Sequence, residues 1–181
     1  MLRFFLIMLF GFLILGKNDS MRWNENYELT WEDFKAQPRS QVDAVALTVS
    51  GISFSYSLSQ NNDGDYKYQT FVEAHFYPEK SWYKPEVSNS HILVHEQLHF
   101  DLTELYARKL RKRIAETSFT KQIRSELNQL NDDINEALEI AQNKYDFETN
   151  HSINIEAQKQ WEDYITNELK KLRAFRFIGN Q

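Results

Sequence analysis

Apolar residues along this chain change their spacing twice. From Val42 to Tyr56 they alternate, first at Val45, Leu47 and Val49, then with opposite parity at Ile52, Phe54 and Tyr56. Alternation is the mark of half-buried strands. A period of two cannot change face without an extra residue or a bend, so Gly51 is expected to mark a bulge or a turn between two short strands. NNDGD, from Asn61 to Asp65, reads as a turn, and Tyr66 to Tyr77 alternates again through Val72, Ala74 and Phe76. Together these predict a small antiparallel sheet, closed by a loop, SWYK, that Pro78 and Pro85 bracket.

From about Ser88 the spacing lengthens to that of a helix. Val94, Leu98, Leu102 and Leu105 define a first helix to about Ala115, with Ser88, Asn89 or Ser90 available as its cap. Ile123, Leu127, Leu130, Ile134, Ala137 or Leu138, and Ala141 form one stripe on a second helix from about Phe119 to Lys144. YDFETNHS then interrupts the pattern, and a third helix from about Ile155 to Ala174 carries Trp161, Tyr164, Ile165 and Leu172. Ahead of the sheet, Trp23 to Arg39 is aromatic-rich and polar, with Thr30 placed to cap a short helical turn that Pro38 ends. The fold class is α+β: a small antiparallel N-terminal sheet followed by three helices.

The first sixteen residues, MLRFFLIMLFGFLILG, place one positive charge before an unbroken apolar stretch from Phe4 to Leu15. Such a stretch is short for a bilayer core of about 30 Å. Residues 1–20 are therefore read as a signal peptide or an uncleaved N-terminal anchor of an exported protein, and residues 21–181 as a single domain. There is no Cys, so neither disulfides nor a lipid anchor on Cys enters the picture. A net charge of -5 and the lack of a basic patch exclude a nucleic-acid footprint. The one basic run, Arg108 to Arg113, reads as a solvated helix face.

The candidate chemistry lies in HEQLH, on the first helix. Positions four apart stack one turn above each other, so His95 and His99 converge on one metal ion. Glu96, turned by about 100°, stays out of the ligand set yet within reach of a water at the metal. This is the arrangement of zincin peptidases, in which zinc acidifies water and the Glu acts as general base. His91 extends the stripe but lies about 12 Å along the axis from His99, too far to share the ion, and reads as a helix-start or cleft residue.

A catalytic zinc needs a third protein ligand and an open position. Glu104 is about 140° around the helix from His99 and does not fit. His151 and Glu148, in the expected break between the second and third helices, and His75, on the last strand, remain as alternatives.

TWEDF (Thr30 to Phe34), the pair Ser81 and Trp82, HEQLHFDLTELYARKL and YDFETNHSINIEAQKQW together resemble the DUF922 family of bacterial secreted zinc-dependent proteases. The resemblance implies a zincin-like metallopeptidase domain with Zn2+ held by His95, His99 and, from the distal segment, His151. Asp101, two positions past His99, is a candidate to orient a ligand imidazole. Tyr145 is a candidate oxyanion donor.

The expected activity is hydrolysis of a peptide or protein substrate outside the cytoplasm, the substrate docking as an extra strand on a sheet edge such as Tyr66 to Phe76. A non-catalytic exported zinc-binding module and a zinc amidase acting on cell-wall material are the alternatives. No span of a membrane is expected beyond the N-terminal segment.

Overall fold

A computed structural model describes residues 20–39, 42–61 and 66–178, and residues 1–19 of the expected signal or anchor lie outside them. The architecture is the expected α+β: a small antiparallel sheet followed by three helices. Strand β1 (Met21–Arg22) pairs with the end of β4 (Tyr66–Phe76), which pairs along its whole length with β3 (Ser50–Gln60), in the order β1-β4-β3. The order corrects the choice of Tyr66 to Phe76 as the edge strand. It lies between β1, which covers only its last two residues, and β3, which is an edge along its whole length.

Gly51 corrects a second expectation. It lies inside β3, paired with His75 in an unbroken register from Ser50↔Phe76 to Gln60↔Tyr66. The change of parity occurs earlier, where Ala46–Leu47 (β2) leaves this sheet altogether and pairs with Trp82–Tyr83 (β5). SWYK therefore contributes a strand as well as a loop. Two strands in different sheets need not share a face, which is why alternation shifted without a bulge. The predicted helical turn is the 3-10 turn Trp31–Asp33, tied off by the Asp33 carboxylate, which accepts the Thr30 N–H at 2.7 Å. It ends at Phe34, ahead of Pro38.

Helix α1 (Ser90–Glu116) begins where Asn89 caps it, its side chain accepting the Ile92 N–H at 3.0 Å. An ordinary surface helix buries one face. This one buries two. Phe100, Ala107, Leu110 and Ile114 pack with Val72, Ala74 and Phe76 of the sheet, and Leu98, Leu102 and Leu105 pack with α2 (Ile123–Thr149) and α3 (Ile155–Lys171). Being central, α1 also buries polar residues: His95, Glu96, Thr103, Glu104 and Arg108.

Helix α2 runs five residues further than its expected end at Lys144, because its buried stripe continues through Tyr145 and Thr149, both 0% exposed. The break between α2 and α3 is thus only residues 150–154, and Glu148 is helical. Helix α3 stops at Lys171 and a 3-10 turn, Arg173–Phe175, follows. Among the described residues no helix is long and apolar enough to cross a membrane.

Candidate metal centre

Helix α1 stacks His95 and His99 as their spacing predicts, with Nε2 atoms 3.2 Å apart. The partner they meet is Asp146 of α2. Its Oδ1 stands 3.1 Å from His95 Nε2 and 3.0 Å from His99 Nε2. His95, His99 and Asp146 form the group that could hold a metal ion. Ligand atoms about 2.0–2.1 Å from a tetrahedral ion stand roughly 3.3 Å apart, so this triangle has the size of one face of such a site.

Proton bookkeeping sharpens the point. The Gln142 side chain donates through Nε2 to the His99 carbonyl at 2.9 Å, which leaves its Oε1 facing His99 Nδ1 at 2.5 Å. Flipping the amide would set oxygen against oxygen, so Nδ1 carries the hydrogen. A neutral His99 then aims the bare lone pair of Nε2 at a carboxylate oxygen and at a second imidazole. His99 Nε2 and the Asp146 carboxylate are then two acceptors 3.0 Å apart, and an Nε2–H of His95, whose Nδ1 has no partner among the described residues, a proton or a metal ion relieves their repulsion.

The electrostatics follow the same logic. Burial works against charge on His99, but Asp146, Glu96 and Gln142 outweigh it and raise its pKa. Burial prevails at His95 and lowers it. At Asp146 burial opposes the charge, and its interactions with the two imidazoles overcome it, holding the carboxyl well below the usual range.

Glu96 is 5% exposed, and among the described residues its Oε2 finds no partner, nor does Nδ1 of His95. A buried carboxylate oxygen without a donor costs about 1–3 kcal/mol or more, a penalty more often met at working sites than in structural cores. Thr48, just before β3, fixes the backbone here, its hydroxyl donating to the Glu96 carbonyl at 3.2 Å.

The remaining candidates stand elsewhere or do other work. His151 lies on the rim, its side chain 76% exposed and its Nδ1 3.7 Å from Asp146 Oδ1. Asn150, His151 and Ser152 all have positive φ, at 47°, 51° and 74°. Left-handed backbone costs non-Gly residues roughly 1–2 kcal/mol, least for Asn and His and more for Ser. Glu148 accepts from Trp161 Nε1 at 2.8 Å, and His75 sits among Ser20 and Glu73, so neither joins the group.

Asp101 does not orient an imidazole: it accepts Trp23 Nε1 at 2.7 Å and Gln97 Nε2 at 2.9 Å. Burial raises its pKa to about 6, against the pull of those two donors. Gln142 takes the orienting role assigned to Asp101. The Tyr145 ring stacks on His95 with centroids 4.5 Å apart, and its hydroxyl points to the His95 carbonyl at 3.4 Å. It is a wall of the site, with its pKa raised by burial and by the carboxylates of Glu96 and Asp146.

Asp146 and Gln142 were not singled out from sequence. The available signal was their four-residue spacing beside the buried stripe of Ala141 and Tyr145, which places two polar side chains on one flank of α2.

No curated protein and no solved structure matches the chain. The family model described as bacterial protein of unknown function, DUF922, matches residues 22–152, which hold both HEQLH and the Asp146 segment, and the chain belongs to that family.

Proposed function

We propose that this protein is an exported zinc-dependent peptidase, with His95, His99 and Asp146 as metal ligands and Glu96 as general base. The observation that carries the reading is the pairing of a three-donor face with a buried, unpartnered Glu96 oxygen. Three protein donors leave a tetrahedral ion one position for water or substrate, whereas a structural zinc takes four. A bound zinc ion supplies a Lewis acid that brings the pKa of water to about 7 and polarises a carbonyl.

The chain's own residues supply the rest. Glu96 takes a proton from the attacking water and returns it to the leaving amine, so the peptide C–N bond breaks with no net proton change. Its lack of a competing donor keeps the carboxylate available for that transfer. Gln142 fixes the His99 tautomer that leaves Nε2 free to ligate, and Tyr145 closes the wall behind His95. The edge strand β3 begins two residues after Thr48, beside the Glu96 backbone, and offers an extended substrate a place to pair. Export rests on the N-terminal apolar stretch.

A second reading has its own observation. His151 Nδ1 lies 3.7 Å from Asp146 Oδ1, near enough for His151 to supply a fourth donor and make the site a closed, non-catalytic one. Zinc content of the purified protein, with hydrolysis of fluorescent casein and of a cell-wall peptide amide before and after chelation and zinc restoration, separates the readings. The peptidase reading expects one zinc per chain and casein cleavage restored by zinc. Cleavage of the cell-wall amide alone makes the protein an amidase, zinc without cleavage of either substrate favours the closed site, and absence of zinc after reconstitution contradicts both metal readings.

A further inference from the structure

The group that holds Asp146 in place is itself held by a residue outside the metal centre. Helix α2 ends immediately after the segment that carries Asp146, and its last turn is closed by the backbone of 150–154. His151 N–H donates to the Asp146 carbonyl at 2.9 Å, and Asn154 N–H donates to that of Thr149 at 2.7 Å. Three successive non-Gly residues in the left-handed region make this closure one that the local sequence disfavours. Something beyond the turn has to hold it.

That restraint is visible one helical turn before His95. His91 donates through Nε2 to the Ser152 carbonyl at 2.7 Å. Its orientation is set by Gln158 of α3, 2% exposed, whose Nε2 donates to the His91 carbonyl at 3.1 Å and faces Nδ1 of the same ring at 3.4 Å. The tautomer is consistent throughout: Nε2 must carry the hydrogen to meet a carbonyl, which leaves Nδ1 to accept from the amide. One imidazole therefore joins the start of α1, the α2–α3 turn and the first turns of α3.

Resting on the metal-centre reading above, we infer that His91 is a positioning residue for that centre: it pins the left-handed turn 150–152 and so sets both the Asp146 carboxylate and the rim residue His151. Its side chain makes no hydrogen bond to the ligands or the base among the described residues. Its effect passes through the backbone, from Ser152 to the cap that His151 places on the Asp146 carbonyl.

The test compares wild type with His91→Leu, His91→Gln, Gln158→Leu and the double variant His91→Leu/Ser152→Gly. Two quantities are read: zinc affinity by competition with a chromophoric chelator, and amide hydrogen exchange by segment. His91→Leu is expected to weaken zinc binding about tenfold or more, as loss of an outer partner does, and to speed exchange in 150–154 while the centre of α1 keeps its protection. His91→Gln retains an N–H donor and restores most of both. Ser152→Gly restores both by a different route, because glycine adopts the 74° φ without strain. Gln158→Leu frees the His91 ring and gives the same local loss in smaller measure.

Wild-type affinity and exchange in both His91→Leu and Gln158→Leu overturn the inference. So does faster exchange spread evenly over the molecule, since that marks a general loss of stability. A wild type that takes up no zinc removes the metal-centre reading instead, and the exchange of 150–154 then still decides whether His91 holds the turn.

Discussion

Two buried polar clusters share α1, and they are built on opposite principles. At its middle, Glu104 is 2% exposed and meets Arg108 Nε at 2.8 Å and Arg111 Nη1 at 3.1 Å. The spare guanidinium hydrogens go to the carbonyls of Leu169, Phe175 and Val72. The hydrogen bonds close on themselves, and the cluster ties the sheet, α1 and the C-terminal segment together. Two turns earlier, among the described residues, Glu96 has an oxygen without a donor, His95 has a nitrogen without a partner, and two imidazole nitrogens and a carboxylate oxygen face each other. The first cluster is complete as protein. The second leaves buried polar atoms unpaired and groups donors that could hold a cation.

The largest expected effect that separates them falls on activity. Glu96→Gln should lower kcat for casein by about 10²–10⁴-fold while zinc content and the urea midpoint stay at or above wild type, because an unpartnered charge has been removed. A midpoint well below wild type would mean that Glu96 is structural after all. Glu104→Ala should do the reverse: about 3–5 kcal/mol of stability lost, the usual result of stripping one partner from a buried ion cluster, with zinc affinity of the folded fraction unchanged. Urea unfolding and chelator competition on the same sample decide it. Gln142→Leu probes the border of the two behaviours. It should weaken zinc binding by about 10–100-fold, since His99 then loses the acceptor that fixes its tautomer.

How much of this could be read in the sequence depended on range. His95, Glu96 and His99 are separated by less than two helical turns, so local periodicity sets their relation once α1 exists. Asp146 reaches the same point only through the packing of α2 against α1, about fifty residues away in sequence. Its segment also read as a break, because YDFETNHS is polar and the stripe's last members, Tyr145 and Thr149, carry hydroxyls that hide in the core by bonding to backbone carbonyls. The sheet followed the same rule. Pairing of β3 with β4 was legible from alternation, while the transfer of β2 to β5 was not, since nothing local distinguishes a change of sheet from a bulge.

The smallest expected effect concerns Asp101, in neither cluster. Its folded pKa of about 6 lies above its ordinary value of 3.8. The folded state therefore binds the proton more tightly, and this group's contribution to stability grows as pH falls from about 6 toward 3.8 and is lost on raising it again. In zinc-free protein, Asp101→Asn should flatten the pH dependence of the urea midpoint across that window. An unchanged slope would place the carboxyl in contact with water.

The central claim is that α1 and α2 together make a metal centre from His95, His99 and Asp146. It is tested most directly by the zinc content and zinc affinity of Asp146→Ala beside His151→Ala, each checked for an intact fold by circular dichroism. The account predicts one zinc per chain in wild type, none retained in Asp146→Ala, and a bound though weaker zinc in His151→Ala. Zinc retained by Asp146→Ala and lost from His151→Ala would contradict it.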